Sequence, residues 1–224
     1  TAPTTTTTTT TTPPTTTAPT TTTTTTAPTT SPPAPGRFET LPVGAALPSG
    51  AECADRVRPA AENRPENAPY NSTPGTDPHD GNPRVDGDFT GTTDEILQWV
   101  ACKWGIDEDV VRAQTVVESW WRQEARGDYS YDTQVCHPDV RDESPCAESL
   151  GLMQVRYQYH SEAFEDSNAI NSSAYNVDYA YSYWRACYEG EFWWLNTVER
   201  GREYAAGDAN GCLGVWYSGR WHTD

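Results

Sequence analysis

The residue best suited to acid catalysis in this sequence is Glu118, near the C-terminal end of a predicted helix. Its neighbours are apolar: Val116, Val117, Trp120 and Trp121. An apolar environment disfavours ionisation, so a carboxyl there keeps its proton near neutral pH, as a glycosidic general acid must. The same spacing also fits an ordinary glutamate at the rim of a helix, and the pattern alone leaves both interpretations open.

Three further segments follow Glu118 and Ser119 in a fixed order. Residues 149–155 read SLGLMQV, Asn171 and Asn176 enter a predicted helix, and residues 215–219 read VWYSG. This series resembles the lytic transglycosylase and goose-type lysozyme families, in which an ES pair carries the catalytic glutamate. The resemblance covers roughly residues 96–219, and it implies a mainly α, lysozyme-like fold with a small loop or hairpin region.

The resemblance also implies roles for single residues. Glu118 would be the acid, Gln154 would line the sugar cleft and Tyr217 would hydrogen-bond the glutamate. Ser119 and Asn176 would be further substrate-binding residues. The sequence departs from the family pattern in two places: WYSGRW lacks the usual Asn after Tyr217, and the interval from Glu118 to the GLMQ segment is long.

That long interval bears on the mechanism because it supplies further acids. Transglycosylases use one carboxyl, whereas inverting hydrolases need a second carboxylate to activate water. The interval contains Asp128, Asp132, Asp139, Asp142, Glu143 and Glu148. Relatives of the goose-type and chitosanase-like kind place this acid soon after the catalytic helix, so we expect Asp132 in the role, with Asp139 in reserve. The expected activity is inverting hydrolysis of a β-1,4-linked polysaccharide, and a single-carboxyl lytic transglycosylase is the alternative.

Aromatic residues are abundant, with 9 Trp and 12 Tyr. Flat rings pack well against pyranose rings, although most of these side chains fit core packing equally well. One member of each Trp-Trp pair is expected to face a cleft, and Trp120 and Trp121 are the candidates beside Glu118. A non-catalytic module that grips glycan through its tryptophans is the alternative from another functional class.

Helical periodicity dominates the second half of the chain. Thr92 and Glu95 predict a capping box for a helix that stops at Gly105, and Asp107 predicts the cap of a second helix that runs to Gly127. The second helix is expected to bury Val110, Ala113 and Val117. Turns or a short hairpin are predicted between residues 128 and 149, and later helices at 151–156, from Asn171 or Ser172 to 188, at 192–205 and at 211–217.

Composition divides the chain into three parts. Residues 1–36 form a Thr/Pro-rich linker that is predicted to be disordered, because it lacks the apolar area needed for a core. Residues 37–89, here named the wrapping segment, are expected to be irregular, and residues 90–224 form the catalytic domain. A sugar-binding module is expected upstream of the linker.

Six cysteines and a Thr/Pro linker favour three disulfides in a secreted, extracellular protein. Six cysteines allow fifteen pairings. The least strained choice joins Cys136 to Cys146, Cys187 to Cys212 and Cys53 to Cys102. The cysteines and the four histidines lack metal-site spacing, so no metal and no cofactor is expected.

The net charge of −17 opposes binding to nucleic acid or to an anionic membrane surface. No apolar run reaches the ~20 residues of a membrane span. The expected partner of this monomer is therefore a polysaccharide substrate. A neutral or cationic polymer, such as chitin, chitosan or a plant β-glucan, suits the charge better than an anionic cell wall, although the GLMQ segment points to peptidoglycan.

Overall fold

Helices form most of the described structure, and a small antiparallel sheet lies between them. The computed structural model describes residues 36–76, 78–196 and 203–221. The α-helices of this part span Gly50–Ala54 (α1), Ala68–Asn71 (α2), Thr93–Trp104 (α3), Glu108–Ser119 (α4), Asn168–Asn171 (α5), Ser173–Glu189 (α6) and Ala209–Ser218 (α7). The strands span Arg126–Ser130 (β1), Cys146–Leu150 (β2) and Val155–Arg156 (β3). The chain is therefore mainly helical with a small sheet, as expected, while the linker predicted for residues 1–36 lies outside the described residues apart from Gly36.

Short 3₁₀ helices complete the architecture. They lie at Pro65–Asn67, Thr133–Val135, Pro138–Val140, Ser161–Ser167 and Trp193–Leu195. Of the helix predicted for residues 192–205, the structure describes a 3₁₀ turn at Trp193–Leu195 and non-helical chain at 203–205. Residues 197–202 lie outside the described ranges.

The helix α3 is the centre of the core. Its capping box is formed as predicted: the Thr92 side chain accepts from the Glu95 amide, and the Glu95 side chain accepts from the Thr92 amide. Gly105 ends the helix with a φ of 60°. Nearly every side chain of α3 is buried, from Ile96 to Trp104, because α6 and α4 pack on it from different sides.

The later helices follow the sequence pattern closely. Ser172 caps α6 by accepting from the Tyr175 amide, and Gly190 ends this helix in the left-handed conformation. Asp208 caps α7 by accepting from the Gly211 amide. These ends lie within two residues of those predicted, because caps and a terminal glycine mark them in the sequence.

The helix α4 begins at Asp107 as predicted but differs in two respects. It ends at Ser119 and not near Gly127, because Trp120 takes the left-handed conformation with a φ of 55°. Its buried face carries Val111, Thr115 and Ser119, whereas Val117 is 77% exposed. Of the predicted inner face, Val110 is half-buried and packs against the core, but Ala113 and Val117 are exposed and the prediction is wrong for them.

The sheet is a meander of β1, β2 and β3, in which each strand pairs with the next one along the chain. Gly127 lies opposite Ser149 in the first pair, and Leu150 lies opposite Val155 in the second. The hairpin predicted between residues 128 and 149 is confirmed. The helix predicted at 151–156 is wrong, since a tight turn at residues 151–154 leads directly into β3.

All three expected disulfides are formed: Cys53–Cys102, Cys136–Cys146 and Cys187–Cys212. The first ties the wrapping segment to α3, the second closes the loop between β1 and β2, and the third joins α6 to α7. The pairing chosen from the sequence is thus confirmed.

Ion pairs and hydrogen bonds of charged side chains hold the wrapping segment against the helices. The Lys103 ammonium, 1% exposed, contacts Asp178 on α6 and Asp86 of the wrapping segment at 2.7 Å each. The Glu108 carboxylate accepts from the Arg58 guanidinium at 2.6 Å and from the Phe38 amide at 3.1 Å. In the part of the chain that is described, the model contains no helix with both the length and the apolar character of a membrane span.

Candidate active site

Glu118 lies one residue before the end of α4, beside a sharp reversal of the chain. Both Trp120 and Trp121 adopt left-handed backbone, with φ of 55° and 62°. Bulky residues rarely do so, and each such residue costs about 1–3 kcal/mol unless its surroundings hold it. The buried amide of Asn67 provides that support, since it donates to the Trp121 carbonyl at 2.7 Å and accepts from the Gln123 amide at 2.9 Å.

The environment of the Glu118 carboxyl favours its protonated form. The pKa of Glu118 is raised to about 7, mainly by burial and also by the nearby charge of Asp128, while a hydrogen bond with Gln114 lowers it. The end of α4 also presents its partial negative charge here, which disfavours a carboxylate. Glu118 is therefore poised to hold and release a proton near neutral pH.

Asp128 is the acid that the structure brings to Glu118. It lies in β1 with a φ of 50°, and its Oδ2 accepts a hydrogen bond from the Ser149 hydroxyl at 2.5 Å. The hairpin thus places a carboxylate, fixed by the neighbouring strand, close enough to raise the pKa of Glu118. Asp128 was among the acids of the interval but was not the residue expected for the second role.

The two acids that were expected lie in other settings. Asp132 caps the 3₁₀ turn at Thr133–Val135 by accepting from the Gln134 amide at 3.0 Å, and it is exposed. Asp139 lies 3.7 Å from the ring of His137 in the loop before β2. The charged group that acts on Glu118 is Asp128, and neither Asp132 nor Asp139 contributes to its pKa.

The turn at residues 151–154 packs tightly against α6. Asn176 is fully buried, and it donates to the carbonyls of Leu150 and Ala169 and accepts from the Met153 amide. Its side-chain amide is therefore committed to the turn and has no surface for a sugar. The expectation that Asn176 binds substrate directly is wrong, because its role in the fold is structural.

Gln154 also serves the turn, but it lies at the edge of the sheet. Its amide donates to the carbonyls of Ala125 and Gly151 at 3.1 and 2.9 Å. Its carbonyl covers Gly127 so closely that an added Cβ there would lie 2.4 Å from Oε1. Gln154 is half-buried and lies near Asp128, so its position is compatible with the lining of a cleft.

The remaining expected residues separate into buried and exposed ones. Ser119 is 5% exposed and donates to the Thr115 carbonyl, which excludes it from a surface role. Trp121 is half-buried and donates to the Arg112 carbonyl, while Trp120 is 67% exposed. One ring of the pair therefore faces solvent, and the expectation that it faces a cleft stays a prediction. Tyr217 is 75% exposed on α7, which does not fit a tyrosine that is held against the glutamate.

The tyrosine that does lie close to Glu118 is Tyr181 of α6. It is fully buried, and its hydroxyl donates to Oε1 of Gln114 at 3.0 Å. The charge of Glu118 contributes to a pKa for Tyr181 that burial raises above its ordinary value. Periodicity identified α6 but could not show which of its tyrosines reaches Glu118.

Two surface depressions lie apart from Glu118. One, of about 510 Å³, is lined by Pro78, His79, Asp80, Pro83, Glu165, Asp166, Asn168 and Tyr175. The other, of about 460 Å³, adjoins the sheet at Arg126, Leu150 and Gly151. Within the described ranges, no group of three or more His, Cys, Asp or Glu side chains is arranged to hold a metal ion.

No protein-family model, curated protein or solved structure matches this chain. The site therefore has to be interpreted from its own residues.

Proposed function

We propose that this chain is a secreted glycoside hydrolase that cleaves a β-1,4-linked polysaccharide, with Glu118 as the general acid. The observation that carries the proposal is the half-buried Glu118 carboxyl, whose pKa is raised to about 7 at the strained end of α4. A protonated carboxyl can give its hydrogen to the glycosidic oxygen as the bond breaks.

The second carboxylate of the proposed mechanism is Asp128, which replaces Asp132 in this role. Two neighbouring acids whose environments separate their pKa values are suited to different tasks. Glu118 is desolvated and keeps its proton, while Asp128 is exposed and accepts the Ser149 hydrogen bond. An ionised Asp128 can take a proton from water that attacks the sugar, as an inverting hydrolase requires.

A lysozyme-like arrangement is part of the same proposal. The turn that carries the GLMQ sequence contacts α4 through Met153, whose sulfur accepts from the Thr115 hydroxyl at 3.4 Å. The Trp216 indole of α7 donates to the Met153 carbonyl at 3.0 Å. The motifs that were distant in sequence thus meet around the end of α4, which supports the resemblance stated from the sequence.

The exposed aromatic side chains supply a surface for sugar rings. Trp120 lies two residues from Glu118, and Tyr129 and Tyr131 follow Asp128; they are 67%, 59% and 82% exposed. Such rings stack on pyranose faces with little loss of conformational entropy. The same surface is the feature that a non-catalytic glycan-binding module would share.

The charges around the sheet favour a neutral or cationic polymer. The guanidinium of Arg126 pairs with Glu143, and that of Arg156 pairs with Glu148 at 2.6 Å. Both cations are paired with other carboxylates. The charge of Asp128 also acts on Arg156, but no cation contributes to the pKa of Glu118. With a net charge of −17, chitin, chitosan and β-glucan are better substrates than an anionic cell wall.

The test is hydrolysis of a polymer panel by the wild-type chain and by Glu118→Gln. We expect new reducing ends from at least one of chitin, chitosan, β-glucan and peptidoglycan, and a loss of about 10³-fold or more in Glu118→Gln. Glu165→Gln, at an exposed site, is the matched control and should keep full activity.

Three outcomes would contradict the proposal, each in a different way. Binding to a polymer without release of new ends would indicate a binding module. Anhydro ends in place of reducing ends would indicate a transglycosylase. Substantial turnover by Glu118→Gln would remove Glu118 from the mechanism.

A further inference from the structure

Polar side chains lead from the buried Tyr181 of α6 through the half-buried Gln114 to Glu118. Gln114 precedes Glu118 by four residues on α4, so the two side chains lie on the same face of the helix. The Tyr181 hydroxyl reaches Oε1 of Gln114 at 3.0 Å and the Val111 carbonyl at 3.3 Å. Tyr181 has no exposed surface and Gln114 is half-buried, so solvent does not replace these contacts.

The two ends of the Gln114 amide are chemically opposite. Its oxygen only accepts hydrogen bonds, and its NH₂ group only donates them. Burial keeps Tyr181 protonated because it raises the pKa of this phenol above its ordinary value. A phenol that donates to the oxygen leaves the NH₂ group to face the other neighbour, which is Glu118.

We propose that Tyr181 and Gln114 are positioning residues for Glu118: the buried phenol fixes the orientation of the Gln114 amide, and the amide presents its NH₂ group to the carboxyl. A donor at this place favours and orients the ionised form that Glu118 reaches after it has given up its proton. The effect on turnover rests on the proposed function, but the orientation of the amide does not.

No other side chain that acts on Glu118 has the same effect on its carboxyl as Gln114. The titratable groups that face it are Asp128 on β1 and Tyr181 on α6. Asp128 disfavours the carboxylate by like charge, so Gln114 is the side chain that favours it. Burial disfavours the carboxylate most strongly, Asp128 adds to that effect, and Gln114 is the side chain that opposes both.

The test is a carbon-13 NMR titration of the glutamate carboxyls, with the Glu118 signal assigned through Glu118→Gln. Gln114→Met keeps the length of the side chain and removes its amide, so the pKa of Glu118 should rise by roughly half a unit to one unit. Tyr181→Phe frees the amide to turn its oxygen toward Glu118, which favours the protonated carboxyl and again raises the pKa.

The double variant Tyr181→Phe/Gln114→Met separates positioning from a general change of the core. Because Tyr181 acts through Gln114, the double variant should titrate like Gln114→Met alone. Tyr175→Phe is the matched control: it removes a buried phenol from the same helix whose charged neighbours are Asp178, Glu165 and Glu162, and it should leave the pKa of Glu118 unchanged.

The result that overturns the proposal is a Glu118 titration that moves in neither single variant, or additive shifts in the double variant. If Tyr181→Phe does not fold, Gln114→Met decides the matter, since Gln114 lies at a half-buried position. Loss of the proposed hydrolase activity is a separate outcome: an inactive wild-type chain with the expected shifts rejects the function and retains the positioning pair. In an active enzyme, the pH dependence of kcat should move with the titration.

Discussion

The Ser149 hydroxyl donates a hydrogen bond of 2.5 Å to Oδ2 of Asp128, across the first pair of strands in the sheet. This contact turns the carboxylate of β1 into a fixed group, and the left-handed backbone of Asp128 sets its direction. Strained backbone that the surroundings hold in place is frequent at functional sites. The pair therefore supports the proposal that Asp128, among the acids of the interval, is the partner of Glu118.

Asp128→Asn should lower turnover by about 10²–10⁴-fold, because it removes the group that is proposed to activate water. It should also lower the pKa of Glu118, since the charge of Asp128 raises that pKa in the wild-type chain. The checks are kcat on the best polymer of the panel and an NMR titration of Glu118. Asp132→Asn is the control and should lose only the cap of a 3₁₀ turn; if it inactivates more strongly than Asp128→Asn, the assignment of Asp128 is wrong.

Glu118→Gln should stabilise the protein at alkaline pH. The folded-state pKa of Glu118 is about 7 against an ordinary value of 4.5, so the folded chain retains a proton that the unfolded chain releases between these values. Wild-type stability therefore falls as pH rises through this window, and the cost is complete above pH 7. The variant lacks this cost and should be more stable by about 2 kcal/mol at pH 8, after allowance for partial exposure.

Urea unfolding at pH 4 and at pH 8 checks this prediction. The two proteins should differ little at pH 4, where both the folded and the unfolded states hold the proton. Glu165→Gln, at an exposed position, should follow the wild type at both values. An equal stability of Glu118→Gln and wild type at pH 8 would mean that the carboxyl is solvated.

Gly151→Ala should destabilise the turn that carries the GLMQ sequence. Gly151 has a φ of 89°, and a Cβ there would lie 2.1 Å from the Asn176 amide nitrogen. The buried Asn176 cannot move without breaking its bonds to Leu150, Ala169 and Met153, so a loss of about 2–4 kcal/mol is expected. Thermal and urea unfolding measure it.

The matched variant for this turn is Asn176→Ala, which removes the obstacle together with its bonds to three backbone groups. Of these, the Ala169 carbonyl keeps the bond from Gln123. The variant should cost a similar amount. Because the shorter side chain makes room for the new methyl group, the double variant should lose less than the sum of the two single losses. Additive losses would mean that the Gly151 position is strained by its φ alone.

The extent to which sequence foretells this site depends on the range of each contact. The caps of α3, α4 and α6 are formed by residues that are close in sequence, so a local pattern predicts them. The burial of α4 is not local: Thr115 and Ser119 form its inner face and satisfy their hydroxyls on carbonyls one turn earlier, so Val117 is left outside. Hydrophobicity alone predicts that the opposite face of α4, which carries Val117, is the buried one.

Contacts between segments that are distant in sequence were the hardest to predict. Asn67 supports the reversal after α4 from more than fifty residues away, and no local pattern marks it. The choice between Asp128 and Asp132 depended on where the hairpin begins, because a shift of register changes which carboxylate meets the helix. For the positioning pair, the sequence contained one signal: Gln114 precedes Glu118 by four residues, which places both on the same face of a helix.

Lys103→Met tests how the wrapping segment is held. The Lys103 ammonium is 1% exposed and lies 2.7 Å from the carboxylates of Asp178 and Asp86. Removal of one partner from a buried pair leaves an uncompensated charge, here on the fully buried Asp178, and costs about 3–5 kcal/mol. Arg126→Met, which breaks the more exposed pair with Glu143, should cost less than 1 kcal/mol.

The pH dependence of this loss identifies its cause. Burial raises the pKa of Asp178. Without Lys103 this carboxyl should keep its proton in the folded state to a higher pH, so the variant should regain stability as pH falls. The double variant Lys103→Met/Asp178→Asn should lose less at pH 7 than Lys103→Met alone, because it leaves no buried charge. If Lys103→Met is as stable as wild type at pH 7, the Trp104 indole and the Gly87 amide, which also donate to Asp178, stabilise the carboxylate unaided, and the role given to Lys103 is wrong.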